Sequence, residues 1–223
     1  MITGLETFAI PTFLTLAGNF AKCDTKPLPR IRTHVQNERV VHDSSKSHAD
    51  LAQFQIDTIS PYGSSVHTKV SGLMSGNINV SMSANIAWST NPITKTSCVW
   101  YDEIDINLTS KPTIFIASEH KNNKCRYNVT LKHEQKHVKV DKQIISKFTP
   151  YFTREVKKAI RQISVVGPIR SDDVEQARID MNNQIQRVIE NVLDEMKVER
   201  RKRQQAVDSR QEYDRLSRLC GGR

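Results

Sequence analysis

Nowhere in the 223 residues is there a run of 18 or more apolar side chains, which excludes a multi-span membrane protein. Glycine and proline are scarce, 8 of each, so collagen-like and proline-rich disordered chains are excluded too. Cysteine occurs four times, too few for a small scaffold built on disulfides. No two cysteines form a CxxC pair, which argues against a zinc ribbon or a thioredoxin-type site. No internal repeat of about 20–50 residues occurs. What remains suits one domain of ordinary size, or one domain plus a helical appendage. It is 37% hydrophobic and carries a formal net charge of +9.

The first residues bear on compartment. Phe8 to Ala21 form an apolar stretch about as long as the hydrophobic core of a signal peptide, and Ala21 is small enough to precede a cleavage site. Glu6, rather than Lys or Arg, precedes the stretch, and Asn19 stands where a small apolar residue is usual. Residues 1–21 therefore read as a signal peptide or an N-terminal apolar segment, and the chain as exported, periplasmic or secreted. An even cysteine count fits an oxidising compartment. Cys98 and Cys125 bracket a strand-rich segment and are the natural pair, leaving Cys23 and Cys220 to tie the two ends.

Residues 22–63 are polar and read as a largely irregular lead-in. From residue 64 to 170 the pattern is strands followed by helix. Ile78, Val80, Met82, Ala84, Ile86 and Trp88 alternate mostly with Asn and Ser, which predicts a long strand with one buried face. Ile104, Ile106 and Leu108 alternate again, and Lys111–Pro112 makes a turn before a strand over 113–118. Short connections favour an antiparallel arrangement. Val129, His133, His137, Val140 and Ile144 share one face of a helix predicted from Tyr127 to Phe148, which Pro150 stops. A second helix fits 152–164. Residues 171–220 read as C-terminal helices packing back on the domain, with an apolar near-heptad rhythm from Val174 to Met196.

Residues 133–137 read His-Glu-Gln-Lys-His, an HExxH motif on a predicted helix. Imidazoles at i and i+4 lie one turn apart on one face, so both can bind a single zinc ion. Glu134 stands beside the first ligand but off the ligand line. That placement suits a general base acting on zinc-bound water. A catalytic zinc needs a third protein ligand. Asp141 lies eight residues from His133, about 12 Å along a straight helix, too far for a shared ion. It reads instead as a group orienting His137. Glu155 on the next predicted helix and Glu212 in the tail are the candidates for third ligand, with Glu119 and His120 as further alternatives.

These segments carry a resemblance. Cys98-x-Trp100, the stretch IFIASEHKNNKC, the motif LKHEQKHVKVD and the tail RQQAVDSRQEYDRLSRLC look like uncharacterised bacterial exported proteins that resemble the DUF922 family of secreted, predicted zinc-dependent proteases. The resemblance covers roughly residues 65–220. It implies a zincin-like α+β fold, with an antiparallel sheet packed on the HExxH helix. It also implies a zinc metallopeptidase using His133, Glu134 and His137. The family's YDxxTxHG ending is altered here: Asp208, Glu212 and Tyr213 are present, without a His, which makes Glu212 a candidate ligand. In such a fold the strand over 113–118 is the expected edge strand, to which a peptide substrate adds. Tyr213 and His120 are the candidate oxyanion donors. The cluster KVERRKR at 197–203 is interleaved with Glu and lacks an aromatic platform, so nucleic acid is not the expected partner. The rival reading is a non-catalytic exported envelope binding or assembly protein whose HExxH site is structural or vestigial.

Overall fold

The computed structural model describes residues 22–24, 26–55, 58–62 and 69–221. The signal-peptide reading of residues 1–21 lies outside them. Its elements are β1 (Arg30–Asn37), β2 (Val41–Asp43), α1 (His48–Leu51), β3 (Gly72–Ser75), β4 (Ile78–Asn91), β5 (Thr96–Ser110), β6 (Thr113–Ile116), α2 (Lys124–Gln162), β7 (Val165–Arg170), α3 (Val174–Val207) and α4 (Arg210–Arg218). The fold is α+β, as expected, but the sheets are mixed rather than antiparallel. β5 pairs parallel with β1 and antiparallel with β4 and β7, while β6 pairs parallel with β2 and antiparallel with β3. The lead-in is not irregular either: it supplies β1, β2 and α1.

Three strands cross from one sheet into the other at the same level. β1 runs into β2, β5 into β6, and β3 into β4, and the neighbour order is the same in both sheets. The sequence explains the shared bend. Pro112 has no N–H to continue a ladder. Beside it, a Cβ on Gly76 would stand 3.0 Å from the Lys111 carbonyl oxygen and 3.1 Å from the Pro112 Cα. Only a residue without a side chain lets the strands pass that closely.

Alternation decides which face of the longer sheet is covered. Ile104, Ile106 and Leu108 are fully buried, under Ile144, Phe148, Phe152 and Ile160 of α2 and Met181, Ile185 and Ile189 of α3. Tyr101 joins this core by donating its hydroxyl to the Met181 carbonyl at 2.8 Å. Burial pushes its phenol up to about 12. The smaller sheet packs on the first half of α2 through Ile114, Ile116 and Val138.

α2 does not stop at Pro150 but runs unbroken for 39 residues. An interior proline costs a helix about 3 kcal/mol. Ile145, Phe148, Phe152, Val156 and Ile160 continue the buried stripe across it. Each contributes roughly 1.5–3 kcal/mol when buried, so packing outweighs the proline. α3 runs on past the apolar rhythm that ends at Met196, to Val207.

All four cysteines are bonded, but in a different pairing from the expected one: Cys23 with Cys98 and Cys125 with Cys220. Cys98 sits near the start of β5, and Cys125 lies beyond the far end of β6. Twelve extended residues from Cys98 to Ser110 alone span roughly 40 Å, far outside bonding reach. Among the described residues, no helix is long and apolar enough to cross a membrane.

Candidate metal centre

α2 and α3 run antiparallel, so the first half of α2 meets the last turns of α3. Lys147 pairs with Glu199, Asp141 with Arg200, and His137 with Gln204. One turn beyond Gln204, at the end of α3, stands Asp208. Its Oδ1 lies 3.0 Å from His133 Nε2 and 3.2 Å from His137 Nε2. The three residues are buried, and their donor atoms all lie within 4.8 Å of one another. They form a His-His-Asp group that could hold a metal ion.

The outer hydrogen bonds test whether the group fits a cation. The amide of Gln204 donates through Nε2 to Asp141 Oδ1 at 2.7 Å and to the His137 carbonyl at 3.2 Å. Its Oε1 must therefore be an acceptor, and it faces His137 Nδ1 at 2.6 Å. Nδ1 then carries the hydrogen, and the neutral ring turns the lone pair of Nε2 toward Asp208. His133 repeats the pattern, with Nδ1 facing the Glu212 carboxylate at 3.5 Å. Three acceptor atoms thus converge on one point, and such a set is satisfied by a cation. A tetrahedral zinc ion about 2.0–2.1 Å from each donor would hold them roughly 3.3 Å apart, close to the 3.0 and 3.2 Å between Asp208 and the two imidazoles.

Without an ion, the same three groups share protons instead. Burial would raise the Asp208 carboxyl, but hydrogen bonds from His133 and His137 hold it well below the usual carboxylate range. Burial would lower the His137 imidazole, yet Asp208, Glu134 and Gln204 together raise it. Beneath the centre, Arg200 donates to Asp141 at 2.7 Å and 3.1 Å and to the Gly76 carbonyl at 3.0 Å. This locks Asp141, and through Gln204 the tautomer of His137.

Glu134 is buried beside the histidines, outside the ligand group. Burial pushes its carboxyl up, only partly offset by the two imidazoles and a hydrogen bond from the Met74 N–H. Met74 belongs to β3, and β3, not the strand over 113–118, is the edge strand beside the motif. That strand, β6, is flanked on both sides, by β2 and β3. A Cβ on Gly72 would come within 2.3 Å of Thr130 Cγ2 and 3.0 Å of Glu134 Oε1, so β3 approaches α2 through a glycine. A cleft of ≈ 370 Å³ opens between β3, α2 and the C-terminal segment.

The expected third ligands go elsewhere. Glu155 is on the same continuous helix, 18 residues and roughly 27 Å beyond His137, and pairs with Arg154. Glu212 reaches His133 from the outer side while accepting from Lys136 and Arg215. Glu119 and His120 close on His48 instead. Asp141 orients His137, but through Gln204 rather than directly. Tyr213 donates to Asp208 Oδ1 at 3.3 Å, with its ring edge-on to His133. The sequence reading missed Asp208, Gln204 and Arg200 as site residues. A signal was present: Val192, Met196, Arg200, Gln204 and Asp208 recur every fourth residue, continuing the buried seam into polar residues.

No protein-family model, no curated protein and no solved structure matches this chain.

Proposed function

We propose that the chain is an exported zinc metallopeptidase with a zincin-like catalytic arrangement. The observation that carries the reading is the convergence of His133 Nε2, His137 Nε2 and Asp208 Oδ1, with Glu134 buried alongside and a cleft in front. His133, His137 and Asp208 would hold the ion. Zinc supplies Lewis-acid polarisation of a carbonyl and acidifies water. Glu134 takes and returns the proton at its carboxylate, and its raised proton affinity suits a group that must do both. The Met74 N–H fixes one orientation of that carboxylate. The free edge of β3 offers main-chain groups to an extended peptide, which would lie across the mouth of the cleft. The Tyr213 hydroxyl, which donates to Asp208 Oδ1 in the metal-free chain, would turn to a developing oxyanion. Two disulfides fit export to an oxidising compartment.

The test is elemental analysis followed by a peptide-hydrolysis screen. We expect about one zinc per chain in the native protein, and little in His133→Ala/His137→Ala or Asp208→Ala. Glu134→Gln should keep the zinc and the fold and lose hydrolysis. No zinc in the native protein after loading would overturn the reading. Bound zinc with no hydrolysis of any peptide would favour the non-catalytic binding protein.

A further inference from the structure

The solvent face of α2 carries a feature separate from the histidines. Positions 132, 136, 139, 143, 147, 150, 154, 157 and 161 follow one another at steps of three or four, so they form one row along the helix. All nine are exposed. Seven of them, from Lys132 to Arg161, are Lys or Arg; the others are Gln143 and Pro150, and none is acidic. The chain as a whole has 33 Lys+Arg in 223 residues, which would place only one or two on nine positions. The row extends roughly 43 Å at 1.5 Å per residue. Lys136, Lys147 and Arg154 pair with Glu212, Glu199 and Glu155. Lys132, Lys139, Lys157 and Arg161 have no ion-pair partner among the described residues.

The chemistry of the row narrows its partner. It contains no aromatic side chain on which a base could stack. Its one apolar residue is Pro150, so it has no wedge to enter a bilayer. Along one flank stand three carboxylates: Glu195 accepts from Tyr151, Glu199 from Lys147 and Glu212 from Lys136. A flat anionic surface would press against them, whereas a narrow strand laid along the row would not. The two disulfides belong to oxidising compartments, where nucleic acid is not the resident polyanion. We propose that this row is a docking track for a linear acidic polysaccharide, whose successive carboxylate or sulfate groups meet the ammonium and guanidinium groups. His133 and His137 lie on the buried face of the same helix, so a docked polymer leaves the cleft open.

The test is calorimetric titration of the full chain with a heparin oligosaccharide series at several salt concentrations. The variant Lys139→Ala/Lys157→Ala/Arg161→Ala is compared with Arg187→Ala/Arg201→Ala/Lys202→Ala, which removes the same charge from exposed positions of α3. We expect the first to lose about ten-fold or more in affinity and the second less than about three-fold, with a shallower salt slope only in the first. Affinity should rise with oligosaccharide length until the row is covered. A charge-keeping Lys139→Arg/Lys157→Arg/Arg161→Lys variant should bind like the native chain, and a native melting temperature in each variant separates lost contacts from lost fold. Equal losses in the two alanine triples would overturn the proposal and leave only net charge. So would tighter binding of an equally charged single-stranded oligonucleotide, or of phosphatidylserine vesicles, than of heparin.

Discussion

At Asp208 a single carboxylate oxygen faces two imidazole nitrogens, and each nitrogen is turned toward it by a bond on the far side of its ring. Outer-shell partners of metal ligands are typically worth 10–100-fold in affinity. Gln204→Leu should therefore weaken zinc binding by about 10–100-fold, and Asp208→Ala by more, in competition with a fluorescent chelator. Glu155→Gln should leave it unchanged. Glu212 provides a pH test in the metal-free chain. Arg215, against the opposing effect of burial and together with Lys136, holds its carboxyl down at about 2. A lowered carboxyl contributes stability that is full above its unfolded pKa and is lost as pH falls through the folded one. The stability advantage of the native chain over Glu212→Gln should thus be constant above about pH 5 and shrink toward pH 2, in urea melts with chelator present. The HExxH residues were legible in the sequence because helix geometry fixes their spacing. Asp208 was not, because it lies 71 residues beyond His137 and only the antiparallel packing of α2 and α3 brings it there.

Among the elements, β3 has the least room. A methyl at position 72 would collide with Thr130 and crowd Glu134. If Glu134 is the general base proposed above, Gly72→Ala should lower hydrolysis by at least about ten-fold while leaving zinc content near native, because Glu134 is crowded and His133, His137 and Asp208 are not. α2 makes the complementary case. Phe152→Ala empties a fully buried site and should cost about 3–5 kcal/mol in denaturant unfolding. Pro150→Ala, on the exposed side, should cost nothing or stabilise. Strand alternation was readable where one face is buried, as in β5, β6 and β4 up to Ile86; past the register shift at Asn85/Ile86, Trp88, which the spacing put on the buried face, is exposed. The parallel pairing of β1 with β5 was not, since it joins Arg30 to Glu103 across 73 residues and is set by a partner rather than by local pattern. Pro150 misled for a related reason: local propensity marks a stop, and the tertiary stripe of Phe148, Phe152 and Val156 overrides it.

For the molecule as a whole, the two disulfides join segments 75 and 95 residues apart. On the chain-entropy account each stabilises by about 4.5 kcal/mol, so reduction should lower the melting temperature by many degrees. Cys125→Ser/Cys220→Ser should also shed zinc more readily than Cys23→Ser/Cys98→Ser, because only the former frees the segment that carries Asp208. Folding class and helix order were legible in composition and periodicity, but the pairing of four cysteines was not, since it depends on which strand ends meet. The Cys125–Cys220 bond has one more effect. It closes a covalent ring that contains His133, His137 and Asp208 together. A protease that nicks the backbone once anywhere inside that ring releases nothing: the two pieces stay linked, migrating as one band until a reductant is added, with all three of these residues still aboard.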